Sequence, residues 1–272
     1  MNNFSHARYL SDQYGNAQKL SSRIDLHRMF STSSVSWETW LFSQLRVPET
    51  CSVLELGCGN GSFWRVNARL IPPGWNCIIS DKSAAMLAAA KANCPLNTFQ
   101  ASFEVVDAEY IPFSNSTFDA VIANHMLYHV GDLTRCLTEI RRVLHPSGVL
   151  CASTNGPGHM KEIRDIAQEV CPEAADLWDA QSEVISRFDL QSGEPVLRRF
   201  FSDVQIATFN DELDVTKPEP LIAYMLSGPM GAPLSERASD LSKIIEHKLN
   251  RSGAIKITKV CGAFLATNAE SA

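Results

Sequence analysis

The chain has 272 residues, with 24 Lys and Arg against 30 Asp and Glu and a formal net charge of −6. Its 45% hydrophobic and 20% charged residues exclude a disordered chain, and its mild acidity, with no Lys/Arg run, speaks against nucleic acid as a partner. No stretch approaches the roughly 18 uninterrupted apolar residues of a membrane span, and the opening MNNFSHARYLSDQYG lacks a charged-then-apolar leader, so a cytoplasmic protein is expected.

Helical spacing covers Arg8 to Leu20, Ile24 to Phe30 and Val35 to Leu45, where Trp37, Trp40, Leu41 and Leu45 share one face. Pro48 ends that segment, and from there short apolar strands alternate with helices. The first strand, Cys51–Leu56, stops at the glycine-rich turn Gly57 to Gly61, and a helix runs from Phe63 to Leu70 until Pro72-Pro73-Gly74 closes it. Cys77–Ser80 is the second strand, followed by Asp81 and an alanine-rich helix from Ser83 to Ala92. Phe103–Val106 ends at Asp107, and Ala120–Ala123 ends at Asn124. The helix from Leu133 to Leu144 carries Leu133, Cys136, Leu137, Ile140 and Leu144 on one stripe; Pro146-Ser147-Gly148 reads as a tight turn and Val149–Ser153 as the fifth strand.

This alternation predicts an α/β fold of the Rossmann-like, doubly wound kind, with helices on both faces of a mostly parallel, seven-stranded sheet. The expected division is a helical lid over 1–47, an α/β core over 48–154, a helical cap inserted over 155–201, and strands and helices over 202–272 that complete the sheet. That last part holds strand candidates at Val204–Phe209 and Leu213–Val215 and helices at Glu219–Leu226 and Leu234–Leu249. Its final run, Ile255–Thr267, is interrupted by Gly262. The eight cysteines are scattered without a CxxC pair, as expected of reduced, buried residues and not of a metal site.

ELGCGNG alone is a weak signal, equally a plain strand-to-helix turn, and its third glycine falls one residue early for a dinucleotide fingerprint. The series of polar strand ends adds weight, because ligands of open parallel sheets bind beyond the carboxyl ends of the strands. Asp81 can accept both hydroxyls of a ribose and Asp107 an exocyclic amine of a purine, although either alone could equally cap a helix. Together they describe a nucleoside site without a phosphate cradle.

The stretches VLELGCGNGSFW, SDKSAAML, FEVVDAEYIPFSNSTFDAVIANHMLYHV and IRRVLHPSGVLCAST resemble the class I S-adenosylmethionine-dependent methyltransferases, over about residues 53–154. The flanking WETWLFSQL and NGPGHMKEI look like a bacterial branch acting on small molecules. The resemblance implies that Gly57 and Gly59 line the methionine portion of S-adenosyl-L-methionine, with Glu55 organising the turn and Cys58 contributing its backbone. It implies ribose binding by Asp81, adenine binding by Asp107 with Ala108, a place for Met86 in the same site, and a position for Asn124 beside the methionine moiety. Lys82 departs from the family's usual apolar residue and is expected to lie over the adenine through its methylene stem. The expected reaction is methyl transfer to a small organic acceptor, leaving S-adenosyl-L-homocysteine and needing no metal. The alternatives are a protein or RNA substrate, or cofactor binding without transfer. His125 and His159 are candidates for a base, should the acceptor have to lose a proton. Tyr14, before Gly15 in a polar stretch, is expected to face the methyl donor from the lid.

Overall fold

The computed structural model describes residues 17–95 and 98–268. Its large sheet has seven strands in the order β3-β2-β1-β4-β5-β9-β6. These are β1 (Thr50–Leu56), β2 (Gly74–Asp81), β3 (Gln100–Val105), β4 (Phe118–Asn124), β5 (Leu144–Asn155), β6 (Asp203–Phe209) and β9 (Cys261–Thr267). Only β9 runs against the other six, pairing antiparallel with β5 on one side and β6 on the other. The mostly parallel, seven-stranded sheet expected from the alternation of strands and helices is therefore present. A separate antiparallel pair is formed by β7 (Glu212–Val215) and β8 (Ile255–Thr258).

The helices are α1 (Ala17–Phe30), α2 (Trp37–Gln44), α3 (Ser62–Asn67), α4 (Ala84–Asn93), α5 (Leu133–Val143), α6 (Lys161–Val170), α7 (Pro172–Ile185), α8 (Gly193–Leu197), α9 (Pro218–Ser227), α10 (Gly231–Glu236) and α11 (Ala238–Ser252). In α5 the apolar stripe is buried at Cys136, Leu137, Ile140 and Val143, and the Asp132 side chain caps its start by accepting from the Arg135 N–H at 2.9 Å.

Three readings of local sequence are corrected. Pro146-Ser147-Gly148 is not a turn before the fifth strand but lies within β5. The β4–β5 register jumps there, with Phe118 opposite Leu144 and Ala120 opposite Val149, so the extra residues bulge out of the ladder. The expected helix at Leu234–Leu249 is two helices, breaking at Arg237. The final run breaks at Lys259-Val260 and not at Gly262, which sits inside β9 because a Cβ there would lie 2.4 Å from the Ala207 carbonyl of the neighbouring strand.

Two compact units emerge, each assembled from three stretches. One holds the described residues up to Ser36, Pro157–Ile185 and Asn210–Val260; the other holds Trp37–Gly156, Ser186–Phe209 and the chain from Cys261.

The sheet unit is cored by residues such as Val53, Phe63, Trp64, Cys77, Ile79 and Ile122. In the other unit the core runs from Leu26 and Phe30 through Ile163, Leu213, Leu221 and Ile245. The described cysteines are free and buried, and no helix among the described residues is long and apolar enough to cross a membrane.

Asp211 ties the second of these cores together. Its carboxylate has no exposed side-chain area and pairs with the nearly buried ammonium of Lys259. It also accepts from the Ser31 hydroxyl at 2.8 Å and from the Thr32 and Ser33 N–H groups at 3.0 Å, fastening the end of α1 beside β7. Removing one member of a buried pair leaves the other charge uncompensated. Asp211→Ala should cost about 3–5 kcal/mol in urea unfolding, and adding Lys259→Met should recover much of the loss. An Asp211→Ala chain as stable as the wild type would show that the pair does not hold the unit.

Candidate functional site

The strand order reverses direction between β1 and β4, the topological switch point at which open α/β sheets bind ligands. The glycine turn leaves β1 on that edge. Gly57, Gly59 and Gly61 have φ of 69°, 55° and 75°, in the left-handed region that glycine enters without strain. At Gly57 space also forbids a side chain, since a Cβ would lie 2.9 Å from the Cβ of Met126 just after β4.

Asp81, at the end of β2, braces this turn. One carboxylate oxygen accepts from the Gly59 N–H at 2.9 Å and the other from the Ser83 N–H at 2.8 Å. The Cys58 N–H adds a bond to the Ser80 carbonyl at 2.8 Å. Burial raises the Asp81 pKa, against the pull of the two N–H donors. The helix-cap role weighed from the sequence falls to Ser83, whose hydroxyl accepts from the Met86 N–H at 3.4 Å, while Asp81 spends one bond of each oxygen on a backbone N–H. Each oxygen keeps a second lone pair for a ligand.

Glu55 lies beneath the turn, 1% exposed, and accepts from the Trp64 indole N–H at 2.5 Å. The Ser80 hydroxyl donates to its backbone carbonyl at 2.6 Å. Burial first, with Asp81 adding its charge, pushes the Glu55 carboxyl up to about 8 against the opposing Trp64 bond. Cys58 is buried, and its thiol is pushed upward by the same desolvation, which leaves its backbone as the useful part.

Past β3, Asp107 accepts from the Glu109 N–H at 3.1 Å, and the Lys82 ammonium sits 2.6 Å from its other oxygen. Burial pushes Asp107 up, but the Lys82 bond and charge and the Glu109 N–H win, and its carboxyl lies below its ordinary range. Lys82 thus places its charge on Asp107. Ala108 and Met86 are both buried, Met86 in the first turn of α4.

Asn124 closes β4. Register pairs Leu56 with Ala123, which sets Asn124 level with Gly57, and pairs Asn124 with Ser153 of β5. Its Oδ1 accepts from the Ser153 hydroxyl at 2.7 Å and from the Trp37 indole N–H at 3.3 Å. His125 follows with φ of 54°, strained for a residue with a side chain. Its N–H reaches the Ser153 hydroxyl at 3.1 Å, and its ring lies 5.0 Å from that of Trp37. Trp40 and Phe209, the last residue of β6, extend the aromatic group.

The sheet unit therefore brings together Glu55, Gly57, Cys58, Gly59, Asp81, Lys82, Met86, Asp107, Ala108, Asn124 and His125. His159 belongs to the other unit, and its Nδ1 accepts from the Val260 N–H at 3.1 Å, so that nitrogen is committed to holding the backbone. Tyr14 lies outside the described residues. Trp64, Ser153 and the polar use of Trp37 were missed. Ser153 could have been found, because it continues the series of polar strand ends, whereas nothing in the spacing marks Trp64 as the partner of Glu55. Among the described residues no group of three or more His, Cys, Asp or Glu is placed to hold a metal ion.

Residues 54–152 match the methyltransferase domain family. The matched stretch includes the glycine turn, Asp81, Asp107 and Asn124. The chain is 27% identical over 182 residues to a malonyl-(acyl-carrier protein) O-methyltransferase of Legionella pneumophila, covering 65% of this chain and 59% of that one. It is 29% identical over 116 residues to a ubiquinone/menaquinone biosynthesis C-methyltransferase of Hahella chejuensis, covering 42% and 47%. The chain thus spans about half the length of these curated relatives. Among solved structures, phosphoethanolamine N-methyltransferase 2 of Haemonchus contortus, in complex with S-adenosyl-L-methionine, superposes with a TM-score of 0.61 at 17% identity, over 97% of this chain and 60% of that one, a likeness of fold.

The raised Glu55 carboxyl makes stability depend on pH. Folding favours its protonated form, so the benefit is complete below its ordinary value of 4.5 and is lost as pH rises toward about 8, where the folded chain ionises too. Glu55→Gln keeps an acceptor for Trp64 and cannot ionise. Denaturant midpoints at pH 5 and pH 8 should fall with pH for the wild type and fall less for Glu55→Gln. Equal slopes would mean that Glu55 is ionised in the folded domain.

Proposed function

We propose that the chain transfers the methyl group of S-adenosyl-L-methionine to a small organic acceptor and releases S-adenosyl-L-homocysteine. The observation that carries this reading is Asp81, at the switch point of a class I methyltransferase domain, fastened to the glycine turn through Gly59 with a lone pair left on each oxygen. The residues present fit the nucleoside. Gly57 and Gly59 expose backbone where a Cβ would strain or clash, and in this reading Asp81 takes the ribose hydroxyls and Asp107 with Ala108 the adenine.

When bound, the sulfonium supplies a methyl already activated toward attack by a nucleophile in line with the S–C bond. What remains for the chain is alignment, which in well-oriented reactions supplies roughly 7–11 kcal/mol of a barrier. Asp81 and the turn fix the nucleoside, and Asn124 and Met126, next to Gly57, flank the space beyond it. Where the acceptor must lose a proton, His125, directly after β4, is the candidate base. The acidic balance of the chain favours a small acceptor over RNA.

Calorimetry with S-adenosyl-L-homocysteine tests the site. Asp81→Ala should weaken binding at least about tenfold, since each charge-assisted hydrogen bond is worth about 1.5–3 kcal/mol. Asp81→Asn, which keeps one acceptor oxygen, should fall between. Incubation with S-adenosyl-L-methionine and the small-molecule fraction of a cell extract should then yield S-adenosyl-L-homocysteine. Product formed solely with the macromolecular fraction would overturn the small acceptor, and binding without product in either fraction would overturn transfer.

A further inference from the structure

The two donors that meet at Asn124 Oδ1 determine which way its amide faces. The Trp37 indole N–H can only donate, so the atom 3.3 Å from it must be the oxygen. The Ser153 hydroxyl accepts from the His125 N–H at 3.1 Å, which directs its own hydrogen to the same Oδ1 at 2.7 Å. Turning the amide over would set its NH2 against the indole N–H. Asn124 is therefore held with its two N–H donors on the branch away from Trp37 and Ser153, level with Gly57 at the switch point. Beside it stands a half-buried aromatic wall, with Trp37 5.0 Å from His125, and His125 is itself kept at a left-handed φ of 54°. Strain of this kind in a residue with a side chain collects at ligand sites.

From this geometry we infer that Asn124 is a hydrogen-bond donor to an oxygen of the methyl acceptor, with Trp37 as the residue that locks its orientation, so that the acceptor class is a flat molecule bearing a carboxylate, carbonyl or deprotonated hydroxyl oxygen and not an amine. An aromatic wall by itself would also receive a cation; the amide donors turn the site toward an oxygen lone pair. The inference rests on the methyltransferase reading above and adds the substrate class to it. One other oxygen could meet the same donors, the methionyl carboxylate of the cofactor, and the experiment separates the two.

Benzoate serves as the flat oxygen-bearing probe and benzylamine as the cationic control. Each is titrated at millimolar concentration, followed by ligand-observed NMR, into the full chain with and without S-adenosyl-L-homocysteine. The wild type should bind benzoate in preference to benzylamine. Asn124→Asp, which cannot donate, should weaken benzoate about tenfold or more. Trp37→Phe keeps a ring against Trp40 and Phe209 but removes the lock, and it should weaken benzoate several-fold with an unchanged thermal midpoint. Affinities for S-adenosyl-L-homocysteine and for methylthioadenosine, which lacks the methionyl carboxylate, are measured in parallel and should keep their wild-type ratio in Asn124→Asp. A variant that loses S-adenosyl-L-homocysteine and not methylthioadenosine would assign the oxygen to the cofactor and overturn the inference. So would benzylamine binding as well as benzoate, or benzoate binding unaffected by Asn124→Asp. A wild-type chain that binds benzoate but not S-adenosyl-L-homocysteine would instead overturn the methyltransferase reading itself.

Discussion

The bond between Asp81 and the Gly59 N–H fixes the geometry on which the site depends. A run of left-handed glycines has little stiffness of its own, because glycine loses more conformational freedom on folding than any other residue. Tied to the end of β2 through Gly59, and through Cys58 to the Ser80 carbonyl, the turn becomes part of the sheet edge. The same carboxylate holds the N–H of Ser83, whose side chain caps α4. One residue thus joins the first strand's exit to the second strand's exit, and a ligand gripping Asp81 would grip both.

Beneath that edge the domain buries a carboxylic acid that it keeps largely neutral. Glu55 has the Trp64 donor and little water, and desolvation outweighs the hydrogen bond. Without charge it can lie under Asp81 with little repulsion. The two acids share one strand-end region and burial raises both, but Asp81 accepts from two backbone N–H groups where Glu55 accepts from the Trp64 indole.

Hydrophobic patterning made the order of strands and helices readable, because parallel strands covered on both faces must be apolar throughout. The polar strand ends were readable for the same reason: a carboxylate or amide closing an apolar run has no place in the core. Interactions that depend on three-dimensional arrival were not readable. Trp37 shares a helical face with Leu41, as a packing residue would, yet its N–H reaches Asn124, 87 positions along the chain. Pro146 to Gly148 carried every mark of a turn and became a bulge, because the pairing of β4 with β5 on either side of it outweighed the local preference. His159 had the right chemistry, but its ring nitrogen went to the Val260 backbone.

The place of β9 bears on how the chain is made. It is the last of the described strands, yet it lies inside the sheet, and β6 reaches the sheet only through it. During synthesis β5 must wait with an open edge while more than a hundred residues follow it, including two of the three stretches that build the other unit. An open strand edge is a template for pairing with other chains, and the nascent protein carries that exposure until Cys261–Thr267 arrives to fill the gap.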